Sequence, residues 1–161
     1  MELQRQGWSF ICKFVGVECW YPHENEVLNL RLSDMGLRGQ FPWDIKNYTS
    51  LTGLDLSNNV LSGPLLFDIA ELVPPLTSFD LSINRFSCEI PKNSVNCSYL
   101  NVLKLDQNQL TGEIPPKLGI PGLIKTFGVS NNMLSGVVPY FVDTNVLADC
   151  FANNKELSQT P

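Results

Sequence analysis

Basic charge is scarce in this 161-residue chain: 11 Lys and Arg stand against 16 Asp and Glu, a formal net charge of −5. A surface of that sign offers phosphate no attraction, which disfavours nucleic acid and acidic membrane surfaces as partners. Histidine is nearly absent. The single one, His23 in YPHENE, reads as a solvated residue of a connection rather than a catalytic base or zinc ligand. None of the eleven glycines forms G-x-G, so no phosphate-cradling loop is present. No apolar run is long enough to cross a bilayer, because the most apolar late stretch, Val137 to Val142, is interrupted by Pro139 and followed by Asp143. Direct membrane insertion of this chain is therefore not expected. The opening segment, MELQRQGWSF, also lacks the apolar stretch of a secretory leader. These absences leave no enzyme motif, cofactor site or metal site to expect.

What is abundant is leucine and, after it, asparagine. Both recur in phase. Aligned on L-x-x-L-x-L-x-x-N-x-L-x-G-x-I-P, repeats start at Val27, Leu51, Leu76, Leu100 and Ile124, a constant spacing but for one extra position in the second repeat. Asn59, Asn84, Asn108 and Asn132 stand at the same place in their repeats, with further columns at Gly39, Gly63, Gly112 and Gly136 and at Pro42, Pro91, Pro115 and Pro139. This is a leucine-rich-repeat array. The expected fold is an α/β solenoid of five repeats, 27–50, 51–75, 76–99, 100–123 and 124–147. A partial N-terminal cap spans 1–26, and 148–161 is an incomplete C-terminal cap or tail, so the last repeat is expected to fray. In each L-x-L segment the leucines point inward and their neighbours outward. Each repeat-column asparagine is placed to bond backbone groups where the chain leaves the strand.

The outward strand positions form the expected binding surface. Their middle column reads Arg31, Asp55, Asp80, Lys104 and Gly128, which sets each Asp beside one basic residue. Asp106 follows on the same surface, and Ile83 and Val102, apolar on adjacent repeats, are candidates for a joint dry anchor. A self-neutralising, solvated ladder is the bland reading of the charges, since exposed pairs contribute about 0–1 kcal/mol each. A polar concave sheet with a few charges can instead dock a protein by complementarity.

Cys12 and Cys19, closely spaced just before the first repeat, read as a disulfide closing an aromatic cap with Trp8, Phe10, Phe14 and Trp20. Two free thiols are the alternative. Cys97 reads as a buried thiol, a Cys88–Cys97 bridge is disfavoured, and Cys150 has no nearby partner in the sequence. Sequons at Asn47 and Asn96 occupy the same position of their repeats, on the connection leading to the next strand, where glycans would leave the concave surface open.

The segments GVECW (16–20), LRLSDMGLRGQFP (30–42), LTGLDLS (51–57), LNVLKLDQNQLTGEIPP (100–116) and IKTFGVSNNMLSGVVP (124–139) resemble the extracellular domain of plant leucine-rich-repeat receptor-like kinases. Within that family the chain resembles the inactive kinases that associate with somatic-embryogenesis-type co-receptor kinases and restrain immune and brassinosteroid signalling. The resemblance implies a monomeric, non-catalytic, extracellular protein-binding domain whose partner is a co-receptor kinase ectodomain or another extracellular protein. It also implies a signal peptide, a cap helix, a membrane span and a kinase-like region in an intact member, so the chain reads as a truncated ectodomain. A secreted inhibitor of a cell-wall-degrading hydrolase is the alternative, and a truncated product without its own function is a third reading.

Overall fold

The computed structural model describes residues 10–21, 26–65, 73–92, 98–120, 124–141 and 145–158. Its strands, in chain order, are β1 (Val17–Cys19), β2 (Val27–Arg31), β3 (Arg38–Gly39), β4 (Gly53–Asp55), β5 (Val60–Pro64), β6 (Ser78–Asp80), β7 (Arg85–Glu89), β8 (Val102–Lys104), β9 (Gln109–Glu113), β10 (Thr126–Gly128), β11 (Met133–Val137) and β12 (Glu156–Ser158). They form two six-stranded sheets, β1-β2-β4-β6-β8-β10 and β12-β11-β9-β7-β5-β3. All neighbours pair in parallel except β1, which lies antiparallel to β2.

The first sheet follows from the L-x-L pattern. Leu30, Leu54, Phe79, Leu103 and Phe127 are in direct register and all buried, while the residues on either side are exposed or half-exposed, save buried Gly128. The second sheet goes beyond the sequence pattern, which marks its segments only as a turn onto the convex side. They extend because Leu61, Phe86, Leu110 and Leu134 also alternate with exposed or half-exposed neighbours, and because near-equal repeat lengths bring each segment alongside the next. The connections between sheets include 3-10 turns at Trp43–Asn47 and Pro116–Gly119. Pro42 precedes the first of these turns, and Pro115 and Pro116 open the second.

The asparagine column holds the coils together. Asn108 shows the arrangement: its Oδ1 accepts from Phe86 N of the preceding coil at 2.9 Å, and its Nδ2 donates to Leu81 O and Leu105 O at 3.0 and 3.2 Å. Asn59, Asn84 and Asn132 make equivalent bonds. Each amide thus satisfies backbone groups of two successive coils at a buried corner where no strand partner exists.

The ends depart from expectation. Cys12 and Cys19 are bonded, with Cα atoms 5.8 Å apart. The aromatic residues do not form the lid, however: Phe10, Phe14 and Trp20 are exposed, with Phe10 against Phe14 and Trp20 against Tyr21. Ile11, Val17 and Cys19 cover the core instead, because the antiparallel β1 turns that side of the hairpin inward. Trp8 and His23 lie outside the described residues.

At the other end, residues 148–158 continue the stack. Asn154 enters the asparagine column, accepting from Leu134 N at 3.0 Å and donating to Val129 O and Phe151 O at 2.9 and 3.0 Å. β12 then pairs with β11, and Phe151 packs with Phe127 and Phe141 at centroid distances of 5.9 and 5.7 Å.

Candidate functional site

The solvent face of the first sheet carries the expected column in direct register: Arg31, Asp55, Asp80, Lys104 and Gly128 occupy the last position of β2, β4, β6, β8 and β10. Around it the surface sinks into a depression of about 250 Å³ whose lining includes Asn29, Arg31, Asp55, Ser78, Asp80, Val102 and Lys104. Small residues hold the floor low. A Cβ on Gly53 would collide with the Asn29 side-chain oxygen.

The charges pair differently from the simple column. Lys104 Nζ lies 3.6 Å from Asp80 Oδ2, as expected. Arg31 turns the other way, to Glu18 Oε2 of the cap at 3.2 Å, and Asn29 Nδ2 donates to the same oxygen at 2.9 Å. Glu18 escapes the sequence pattern because it precedes the first repeat, and only the antiparallel pairing of β1 brings it beside Asn29.

Asp55 and Asp80 share a second commitment. Each Oδ1 accepts from the backbone N and the Oγ of the serine two positions on, Ser57 at 2.9 and 2.6 Å and Ser82 at 3.0 and 2.6 Å. These bonds fix the carboxylates while leaving Oδ2 directed at solvent or at Lys104.

Asp106 sits one column further, level with Ser57 and Ser82. Gly128 supplies no carboxylate to its own coil, so Asp106 reaches across to accept from Ser130 N and Oγ, both at 2.9 Å. A Cβ on Gly128 would strike that carboxylate. Asp106 is therefore tied into shaping the last turn, and Gly128 ends the charged strip.

The joint apolar anchor does not form. Val102 opens β8, in register with Ser78 and Thr126, whereas Ile83 lies beyond the end of β6 in the tight turn leading to β7, with its N–H donating to Asp106 O at 2.8 Å. Counting outward positions places both on one surface, but the chain has already left the strand at Ile83.

Asn47 is exposed at the end of a 3-10 turn on the connecting side, next to exposed Lys46. Asn96 and Cys97 lie outside the described residues. Cys88 is an exposed free thiol and Cys150 a half-buried one. No helix among the described residues is long and apolar enough to cross a membrane. What this arrangement offers chemically is recognition: fixed carboxylates, a lysine, an arginine and exposed polar side chains on a rigid sheet.

The family model described as Leucine Rich Repeat matches residues 50–72 and 99–119. The inactive LRR receptor-like serine/threonine-protein kinase BIR2 of Arabidopsis thaliana is 43% identical over 93 residues, covering 58% of this chain and 15% of BIR2. The chain thus spans less than a fifth of the length of that relative. The crystal structure of the BIR2 ectodomain from the same plant superposes with a TM-score of 0.90 at 41% identity, covering 97% of this chain and 82% of that one. A chain of the Arabidopsis BIR3–SERK2 complex superposes with a TM-score of 0.86 at 37% identity, covering 94% and 80%.

Proposed function

Since this chain belongs to the leucine-rich-repeat ectodomains of plant inactive receptor-like kinases, we propose that it is a non-catalytic, extracellular binding module that docks a co-receptor kinase ectodomain on its first sheet. The observation that carries this reading is the unbroken, registered strip Arg31, Asp55, Asp80, Lys104 over a shallow depression. The carboxylates of Asp55 and Asp80, short and bonded to Ser57 and Ser82, lose little freedom on docking, so their part of the complementarity is pre-organised.

The likeness to a chain of the BIR3–SERK2 complex supports a SERK-type ectodomain as the partner. A partner of that kind in turn supports modulation of immune or brassinosteroid signalling as the role. Val102, half-buried at the head of β8 beside Lys104, supplies the apolar contact within the strip. A glycan at Asn47 would lie on the connecting side and leave the strip free.

The test is surface plasmon resonance against the SERK2 ectodomain, with the glycosylated chain as analyte. Val102→Asp places an unpaired charge in the interface and should weaken binding by ~2 kcal/mol, roughly 30-fold, whereas exposed Lys46→Glu should leave it nearly unchanged. Absence of SERK2 binding combined with inhibition of a polygalacturonase would overturn the reading in favour of a hydrolase inhibitor.

A further inference from the structure

The turns after β2, β4, β6, β8 and β10, and the turn after the 3-10 segment Ala148–Phe151, each contain one residue in the left-handed region: Asp34, Asn58, Ile83, Gln107, Asn131 and Asn153, with φ between 53° and 59°. Five of the six are polar, and Asp and Asn tolerate this conformation because their short side chains bond locally. Their side chains also link along the rim, Asn58 Nδ2 to Asp34 Oδ1 at 3.1 Å and Asn153 Nδ2 to Asn131 Oδ1 at 2.8 Å. Ile83 is the exception. It is β-branched, the class least suited to φ 55°, and cannot join the rim bonds.

The repeat geometry imposes the conformation, but the isoleucine side chain gains nothing from the fold in return. Ile83 is 42% exposed and takes no part in the core. Its backbone is pinned on both sides, Ile83 N to Asp106 O at 2.8 Å and Asn59 N to Ile83 O at 3.1 Å, so the strain has no route to relax. Strained residues held in place by their surroundings cluster at ligand-binding positions, and an exposed isoleucine kept where Asn or Asp fits more easily points to a role for its side chain outside the fold.

We infer that Ile83 is a specificity contact on the rim of the binding face, seating an apolar side chain of the partner ectodomain in an otherwise polar, uncharged edge between Asn58 and Gln107. This inference rests on the proposed docking reading and extends it from the charged strip to a second subsite at the end of β6. The occupant is an uncharged apolar group, because Asn58 and Gln107, which flank Ile83 along the column, carry no charge for an ionic one to pair with.

The experiment compares the parent chain with Ile83→Asn and Ile83→Leu by thermal unfolding and by plasmon resonance against the SERK2 ectodomain. Ile83→Asn should raise Tm, since it relieves the strain and can complete the rim bonds, yet weaken binding at least tenfold, while Ile83→Leu should retain most of the affinity. A stabilised Ile83→Asn that binds as tightly as the parent overturns the rim subsite and leaves the docking reading intact. A parent that does not bind SERK2 overturns both.

Discussion

The two ends of the stack face one problem, an exposed row of leucine-lined coils, and answer it with different chemistry. At the N-terminal end a short antiparallel strand is tied by the Cys12–Cys19 bond, and Ile11 and Val17 seal the core beneath it. At the C-terminal end no covalent bond is used among the described residues. Asn154 instead prolongs the asparagine column one coil beyond the last full repeat, and β12 covers β11. A repeat array can therefore be closed either by a cross-link that limits the unfolded chain or by a partial repeat that leaves few backbone groups unpaired.

Both devices presuppose an intact middle, so the largest effect is expected there. Leu103→Ala removes a fully buried side chain between Phe79 and Phe127 and should cost ~2–5 kcal/mol, with hydrogen exchange rising at both ends together. If only one end responds, the stack is less cooperative than its continuous core implies.

Asn154→Leu breaks the C-terminal device alone. It strands Leu134 N and the carbonyl of Phe151 and removes one of the two bonds to Val129 O, which keeps Asn132 Nδ2, at a cost of about 3 kcal/mol for the buried groups left unpaired. Exchange at Glu156–Ser158 and Leu134 should accelerate sharply, with β1 and β2 unaffected. In the unaltered protein the coil starting at Ile124 should be about as protected as those starting at Leu76 and Leu100.

The converse variant, Cys12→Ser with Cys19→Ser, should cost ~2–3 kcal/mol for a loop this short and loosen β1 while leaving β12 protected. Loss of protection at β12 in that variant would merge the two ends into one unit. The smallest effect belongs to a site between them. Cys88 occupies the glycine column at φ 68°, and Cys88→Gly should stabilise by about 1 kcal/mol, read as a rise in Tm without any change at either end.

The same contrast explains what is legible in the sequence. The N-terminal bond is legible because cysteines are rare and their spacing at the edge of a repeat is distinctive. The C-terminal coil is not. Asn154 follows Asn132 sooner than the repeat interval would place it, and the segment Ala148–Phe151 forms a 3-10 turn where an L-x-L strand would stand. The signal is present in the Asn-Asn pair at 153–154, which matches Asn131–Asn132, but a shifted interval hides it from an alignment of full repeats.

Periodicity by itself determined the buried column from Leu30 to Phe127, the inward asparagines and the registered strip Arg31, Asp55, Asp80, Lys104, because constant spacing forces equivalent residues into adjacent positions. Only the tertiary structure decided how those residues are partnered. Arg31 goes to Glu18 rather than Asp55, Asp106 serves Ser130, and Ile83 parts from Val102 at the strand end. A repeat pattern specifies which residues share a column, but a side chain a few ångströms long chooses among several neighbours by local geometry: the hairpin that delivers Glu18, the missing Cβ at Gly128, and the left-handed turn at Ile83.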